Sequence, residues 1–206
     1  MTSEADTLSP PPPPGAPEPR DAVDTAMELA AVQGWAGLTL ADIAQAAGLP
    51  LSDMLRRYPT KLALLDEFQR RMDQQMLPGP DEDAAGDSPR DRLFAVIMRR
   101  FDAMAPHRTA LTAIWRDTRR DPLALCAGLK GLERSLMWML EAAGLDSGGL
   151  AGIARRKGLG LIYLDVLKAW RDDDSVDMAR TMAALDKRLK RAEAFASRWQ
   201  GRRAAA

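Results

Sequence analysis

Between Leu38 and Leu65 the chain reads LTLADIAQAAGLPLSDMLRRYPTKLALL, and the chemistry of this stretch leaves room for little besides three consecutive helices joined by tight turns. Thr39 and Asp42 have capping-box spacing, with a hydroxyl for an orphan N–H and an acid three residues on. Ile43 with Ala46 and Ala47 gives the first helix an apolar face, and Gly48 is free to take the positive φ that ends it. Pro50 suits a helix start, where its preset φ helps and its missing N–H is not needed. In the second helix Met54, Leu55 and Tyr58 are expected inward, with Ser52, Asp53, Arg56 and Arg57 left pointing out. Thr60 is a good N-cap for a longer helix from Lys61 to Met76, where Leu62, Leu65, Phe68 and Met72 follow at helical spacing.

The rest of the chain carries no alternating strand signal. Residues 1–20 hold Pro10–Pro14, Pro17 and Pro19 with almost no large apolar side chain, which predicts a disordered or polyproline-like tail. Asp21–Gly34 reads as the first helix, with Val23, Met27, Ala30 and Ala31 inward and a packing Trp35 behind it. Residues 78–89 (PGPDEDAAGDSP) read as an acidic loop. From Arg90 onward apolar stripes recur at spacings of three and four: Leu93, Ile97, Phe101 and Met104; Leu111, Ile114 and Trp115; Leu125 to Met139; Leu159 to Trp170; and Met178 to Leu189 in a last helix from Ser175. The expectation is an all-α chain. A helix-turn-helix three-helix domain with its connecting helix would span 21–77, and a helical ligand-binding and dimerisation domain 90–206. Because the helix around residues 159–170 is apolar on more than one side, it needs more than one partner, as a two-helix contribution to a dimer four-helix bundle would supply. The residues predicted there are Leu159, Ile162, Val166, Trp170, Met178, Met182, Leu185 and Leu189.

Charge excludes a global field, because Lys+Arg and Asp+Glu both number 29. Any nucleic-acid affinity must be local, and between Leu40 and Arg71 five bases face four acids. Cys126 is the only cysteine, which rules out an intrachain disulfide and a cysteine-based metal site. No basic segment followed by an apolar run marks a secretory leader, and no apolar stretch is long enough to span a bilayer, so a cytoplasmic location is the default expectation. His107 is the only histidine and sits at a helix start. Asp172–Asp174 precede Ser175 as a turn and helix N-cap would. With no phosphate loop, nucleophile elbow or metal-binding helix motif, neither an enzyme nor a cofactor or metal is expected.

A short helix, a turn, and a second helix presenting polar and arginine side chains is how a protein offers a helix to the DNA major groove. Gly34-Trp35, Leu40-Ala41-Asp42-Ile43-Ala44, Ala47-Gly48-Leu49 and Tyr58-Pro59-Thr60-Lys61 with Leu64-Leu65 resemble the helix-turn-helix signature of the TetR family of bacterial repressors over about fifty residues. The resemblance implies a homodimer that reads a palindromic operator in double-stranded DNA, with a small apolar ligand in the C-terminal domain changing the half-site spacing by a pendulum shift of the helix Lys61–Met76. It implies DNA contacts from Thr39, Leu51, Ser52, Asp53, Arg56, Arg57, Tyr58 and Lys61, the last matching the family's phosphate-contacting lysine. Counting Thr39, Arg56, Arg57 and Lys61 in both subunits, roughly six neutralised phosphates give a log–log salt slope near −5. Pro50, Asp53 and Leu55 depart from the family, which usually carries hydroxyls in and around this helix. An adaptable apolar pocket is expected around Phe101, Met104, Trp115, Met137, Trp138 and Tyr163.

A second resemblance covers the C-terminal part. Arg155-Arg156, Leu159, Ile162-Tyr163, Trp170 through Ser175, Asp177, Thr181 and Leu185 through Leu189 are similar to the lipid-binding accessory proteins of coenzyme Q biosynthesis. Those share the TetR fold with a degenerate helix-turn-helix, and the likeness implies, as the alternative, a lipid or isoprenoid ligand and no DNA.

Overall fold

The computed structural model describes residues 19–77 and 87–204, and every regular element in them is helical. Residues 1–18 of the predicted tail (1–20) and 78–86 of the predicted loop (78–89) lie outside the described residues. Helix α1 (Ala22–Gln33) starts on Asp21, whose carboxylate accepts from the Val23 and Asp24 amides. Helix α2 (Leu40–Ala47) has both halves of the capping box: Thr39 accepts from the Asp42 amide and Asp42 accepts from that of Thr39. Gly48, at φ +67, ends α2, and the Leu49 N–H closes the turn on the Ala44 carbonyl at 2.9 Å. Pro50 then caps α3 (Leu51–Arg57), and Thr60 caps α4 (Lys61–Met76).

Helix α5 (Pro89–Met104) begins inside the segment read from sequence as loop. The Ser88 hydroxyl accepts from the Asp91 amide and Pro89 occupies the first helical position, a start signal that the acidic run before it obscures. A 3-10 turn at Ala105–His107 leads into α6 (Arg108–Thr118), and Asp121 caps α7 (Pro122–Ala142). Helix α8 (Gly149–Arg171) begins ten residues before its predicted stripe, and α9 (Ala179–Ala204) begins later than the expected Ser175. The delay has a cause in Asp173. Its fully buried carboxylate accepts from the amide and hydroxyl of Ser175 and from those of Thr181, which holds the segment before α9 as a turn.

One continuous core joins both halves of the chain, running from Val23, Ile43 and Met54 through Leu64, Met76, Ile97 and Phe101 to Met139, Trp170 and Leu185. Helix α4 is the bridge, packing on α1 at one end and on α5 and α7 along its length. Arg71 grips Asp21 at 2.9 Å through two nitrogens and so ties α4 to the start of α1. Two residues further on, buried Asp73 pairs with buried Arg100 of α5, whose Nε donates to the Tyr163 hydroxyl of α8 at 3.0 Å. Burial works against the Arg100 charge, but Tyr163 and Asp73 outweigh it and hold the guanidinium above its ordinary pKa.

Candidate nucleic-acid interface

Helix α3 is held by a single fully buried side chain, Met54, which joins Ile43 and Ala44 of α2 in the core. Everything else on it faces outward or sideways. Ser52, Arg56 and Arg57 are exposed, Asp53 and Tyr58 are half-buried, and Leu51 and Leu55 are each 45% exposed. The inward placement expected for Leu55 is corrected: seven residues give α3 less than two full turns, so only one position reaches the core. Ala46 is likewise exposed, and Ala44 takes its expected place. The face offered to a groove is therefore a pair of leucines four residues apart, flanked by Ser52 and two arginines. Arg56 is already paired with Asp53 at 2.6 Å, whereas Arg57 carries no ion pair among the described residues.

The turn before α2 is held by residues from two later helices, α4 and α6. Lys61, at the start of α4, donates to the Trp35 carbonyl at 2.7 Å and the Leu38 carbonyl at 2.6 Å, and its ammonium lies 4.9 Å from the Trp35 ring centre. Burial lowers the Lys61 pKa, opposed by the charge of Asp117. Asp117, near the end of α6, accepts from the Trp35 amide at 2.8 Å and the Ala36 amide at 3.0 Å. The hydrogen bond from Arg116 and then those from Ala36 and Trp35 hold its carboxyl down at about 2. Gly34 makes this approach possible. Its φ is +84, and a β-carbon there would stand 3.3 Å from both Arg116 and Asp117. Of the eight residues predicted to face DNA, six lie on α3 or at its C-cap, and a seventh, Thr39, caps α2. The eighth, Lys61, is turned inward onto carbonyls, and the Thr39 hydroxyl is occupied by Asp42. Asp117 had no signal in the sequence, because the partners it meets lie some eighty residues away.

The six predicted pocket residues divide. Phe101, Met104 and Tyr163 pack together in the core, with Phe101 stacked on Tyr163 at 5.4 Å between ring centres and the Tyr163 hydroxyl 3.7 Å from the Met104 sulfur. Trp115 is 51% exposed and Trp138 44%, and Met137 is also on the surface, because α6 and α7 turn these positions away from the stripes that bury Ile114, Leu136, Met139 and Leu140. They do not share a cavity with the first three. The predicted dimer stripe is corrected in the same way. Leu159, Val166, Trp170, Met178, Leu185 and Leu189 are buried in the chain's own core, with Ile162 and Met182 half-buried against it. The apolar side that stays open on α8 is the other one, carrying Leu150, Ile153, Leu164 and Leu161, the last 74% exposed.

A tight turn between two short capped helices, on an all-helical scaffold bridged by one long helix, defines the class of helix-turn-helix regulators. Residues 22–68 match the model of the family described as bacterial regulatory proteins, tetR family. Over 84% of this chain and 95% of the other, the fold superposes on a TetR transcriptional regulator from Nitrosomonas europaea with a TM-score of 0.68 and 26% identity. A TetR transcriptional regulator from Rhodococcus sp. RHA1 shares the fold at a TM-score of 0.57 and 20% identity, over 82% of this chain and 93% of that one. No curated protein sequence matches the chain. Residues 22–68 are thus similar to the DNA-binding domain of the TetR family, and the described residues share the fold of TetR transcriptional regulators.

Proposed function

We propose that the chain is a homodimeric cytoplasmic repressor that reads a palindromic operator through α3 and releases it when a small apolar ligand enters the C-terminal domain. The observation that carries this reading is α3 itself: a short helix between the capped helices α2 and α4, seated by Met54 alone, with Ser52, Arg56 and Arg57 outward. The dimer is supported by the open apolar side of α8, since an exposed leucine row on a helix that already buries its other side needs a partner. Ligand control would act through the Phe101, Met104 and Tyr163 stack, which methionine lets repack, and through α4, to which Asp73 and Arg100 couple that core. A shift of α4 would move the two α3 helices away from half-sites about 34 Å apart.

The lipid-binding alternative has one observation on its side. Lys61 and Thr39 are engaged within the chain and Arg56 is paired, so the positive charge open to phosphate is small. Titration of the chain with its own upstream DNA and with random DNA, at two salt concentrations, separates the two readings. Tighter binding to the upstream DNA, steep in salt, supports the repressor. Equal weak binding to both, with lipid retained on the purified protein in native mass spectrometry, supports the alternative.

A further inference from the structure

A groove of about 490 Å³ runs between the last turn of α1 and the outer side of α6, with Arg171 from the end of α8 at its margin. It holds none of the residues predicted to face DNA, ligand or partner. The α1 side is mostly small and apolar, with Ala30, Ala31 and Gly34; the α6 side carries Arg108, Thr109 and Arg116. No acidic residue lines it. Each guanidinium is anchored from outside the groove by only part of its donor set. Arg116 gives Nε to Asp117 at 2.9 Å, Arg171 gives Nε to Asp172 at 3.3 Å, and Arg108 gives Nη1 to the Asp173 carbonyl while lying 4.8 Å from the Trp170 ring centre. The Arg108 Nε is buried with no hydrogen-bond partner. A guanidinium offers five N–H donors, so most of this donor set is uncommitted.

Arginines near the end of α1 would be explained without a ligand if they capped its open carbonyls, yet no hydrogen bond joins these three to that turn among the described residues. What three guanidiniums lining one groove with unused N–H donors fit is a planar or tetrahedral oxyanion, which accepts from their forked N–H pairs. The alanine side has room for a short apolar body beside it.

We propose that the α1–α6 groove binds a small organic anion, an oxyanion head carrying a few carbons, held by Arg108, Arg116 and Arg171. The groove lies at the edge of the Asp117 clasp, because Arg116 belongs to both. The proposal does not depend on DNA binding, and neither does its test. Hexyl phosphate is titrated calorimetrically into the full chain in phosphate-free buffer, with hexanoate, inorganic phosphate and hexanol as companions. A saturable one-to-one isotherm for hexyl phosphate or hexanoate, none for hexanol, and about tenfold weaker binding in R171Q and in R108Q are expected, with R57A unchanged. Which of the two anions binds more tightly identifies the head group. Because Arg108 also packs on Trp170, a thermal melt checks R108Q, and R171Q decides if that variant does not fold. The proposal is overturned if neither anion saturates at millimolar concentration, if R171Q binds like the parent chain, or if R57A abolishes binding and so places the anion on α3.

Discussion

Lys61 and Asp117 hold opposite sides of one turn. The lysine ammonium takes the Trp35 and Leu38 carbonyls, and the aspartate carboxylate takes the Trp35 and Ala36 amides. One grip comes from the helix that leads out of the N-terminal unit and the other from α6 in the C-terminal half. The attitude of α2 and α3 therefore depends on both.

Replacing Lys61 with Met should leave two carbonyls without their charged donor and cost about 2 kcal/mol of stability in urea unfolding. If stability is unchanged while operator binding falls, the lysine reaches DNA instead and the inward geometry is incorrect.

The clasp at Asp117 has a pH signature. Its carboxyl sits at about 2 in the folded chain against an ordinary 3.8, so at pH 3 the unfolded chain binds more protons and stability rises with pH there. The contribution is complete above about pH 4 and fades as pH falls toward 2. D117N should flatten the acid limb of a stability profile between those values. A parallel profile for the parent and the variant would show that the carboxylate contributes nothing there.

On the recognition helix the two arginines should separate. R57A removes an unpaired cation from each subunit and should lower the log–log salt slope of operator binding by about 2, whereas R56A should lower it less because Asp53 already holds that side chain. With Lys61 and Thr39 turned to internal partners, the parent slope should lie nearer −3 than the roughly −5 implied by counting all four residues. D53N should tighten binding. Equal effects of R56A and R57A in filter binding would mean that the Asp53–Arg56 pair opens on DNA.

The two sides of α8 and α9 should respond differently to substitution. L161E places a charge on the open row and should yield a folded monomer by sedimentation. L185A empties a fully buried site and should cost about 2–5 kcal/mol with no change in association of the folded species. A dimeric L161E chain would direct the partner to another surface.

Asp173 makes four hydrogen bonds from a fully buried position, and D173A leaves the Ser175 and Thr181 donors without an acceptor. A loss of about 3 kcal/mol is expected in thermal or chemical unfolding. Burial raises the Asp173 pKa, but the bonds from Ser175 and Thr181 overcome it and leave the carboxyl well below the usual range. This contribution too disappears only in strong acid.

What could be read before folding was whatever the chain states locally. Thr39 with Asp42, Gly48 and Thr60 announce their roles within four residues, and the helices between them begin and end where those residues place them. Ser88-Pro89 carried the same kind of signal for α5. Stripes are weaker evidence, because a period of three and four says that a face is covered without saying by what. Leu159, Val166 and Leu185 look the same whether a second copy or the chain's own helices lie against them, and here it is the latter. Large apolar residues off the stripe, such as Met137 and Trp138, fall to a pocket by residue type alone, and type does not fix the rotation of a helix. The Asp117 contact with Trp35 depends on how α6 crosses α1, and nothing near either residue encodes that crossing.

The buried pair between Asp73 and Arg100 bears on how such chains can be recombined. Cutting between α4 and α5 would leave an uncompensated carboxylate on one fragment and an uncompensated guanidinium on the other, at a cost of about 3–5 kcal/mol for each half that must bury its charge alone. A graft that swaps one N-terminal half for a relative's would have to keep Asp73 with Arg100 and with Arg134 of α7, whose Nε lies 3.5 Å from the same carboxylate, so the natural unit of exchange is larger than the helix-turn-helix.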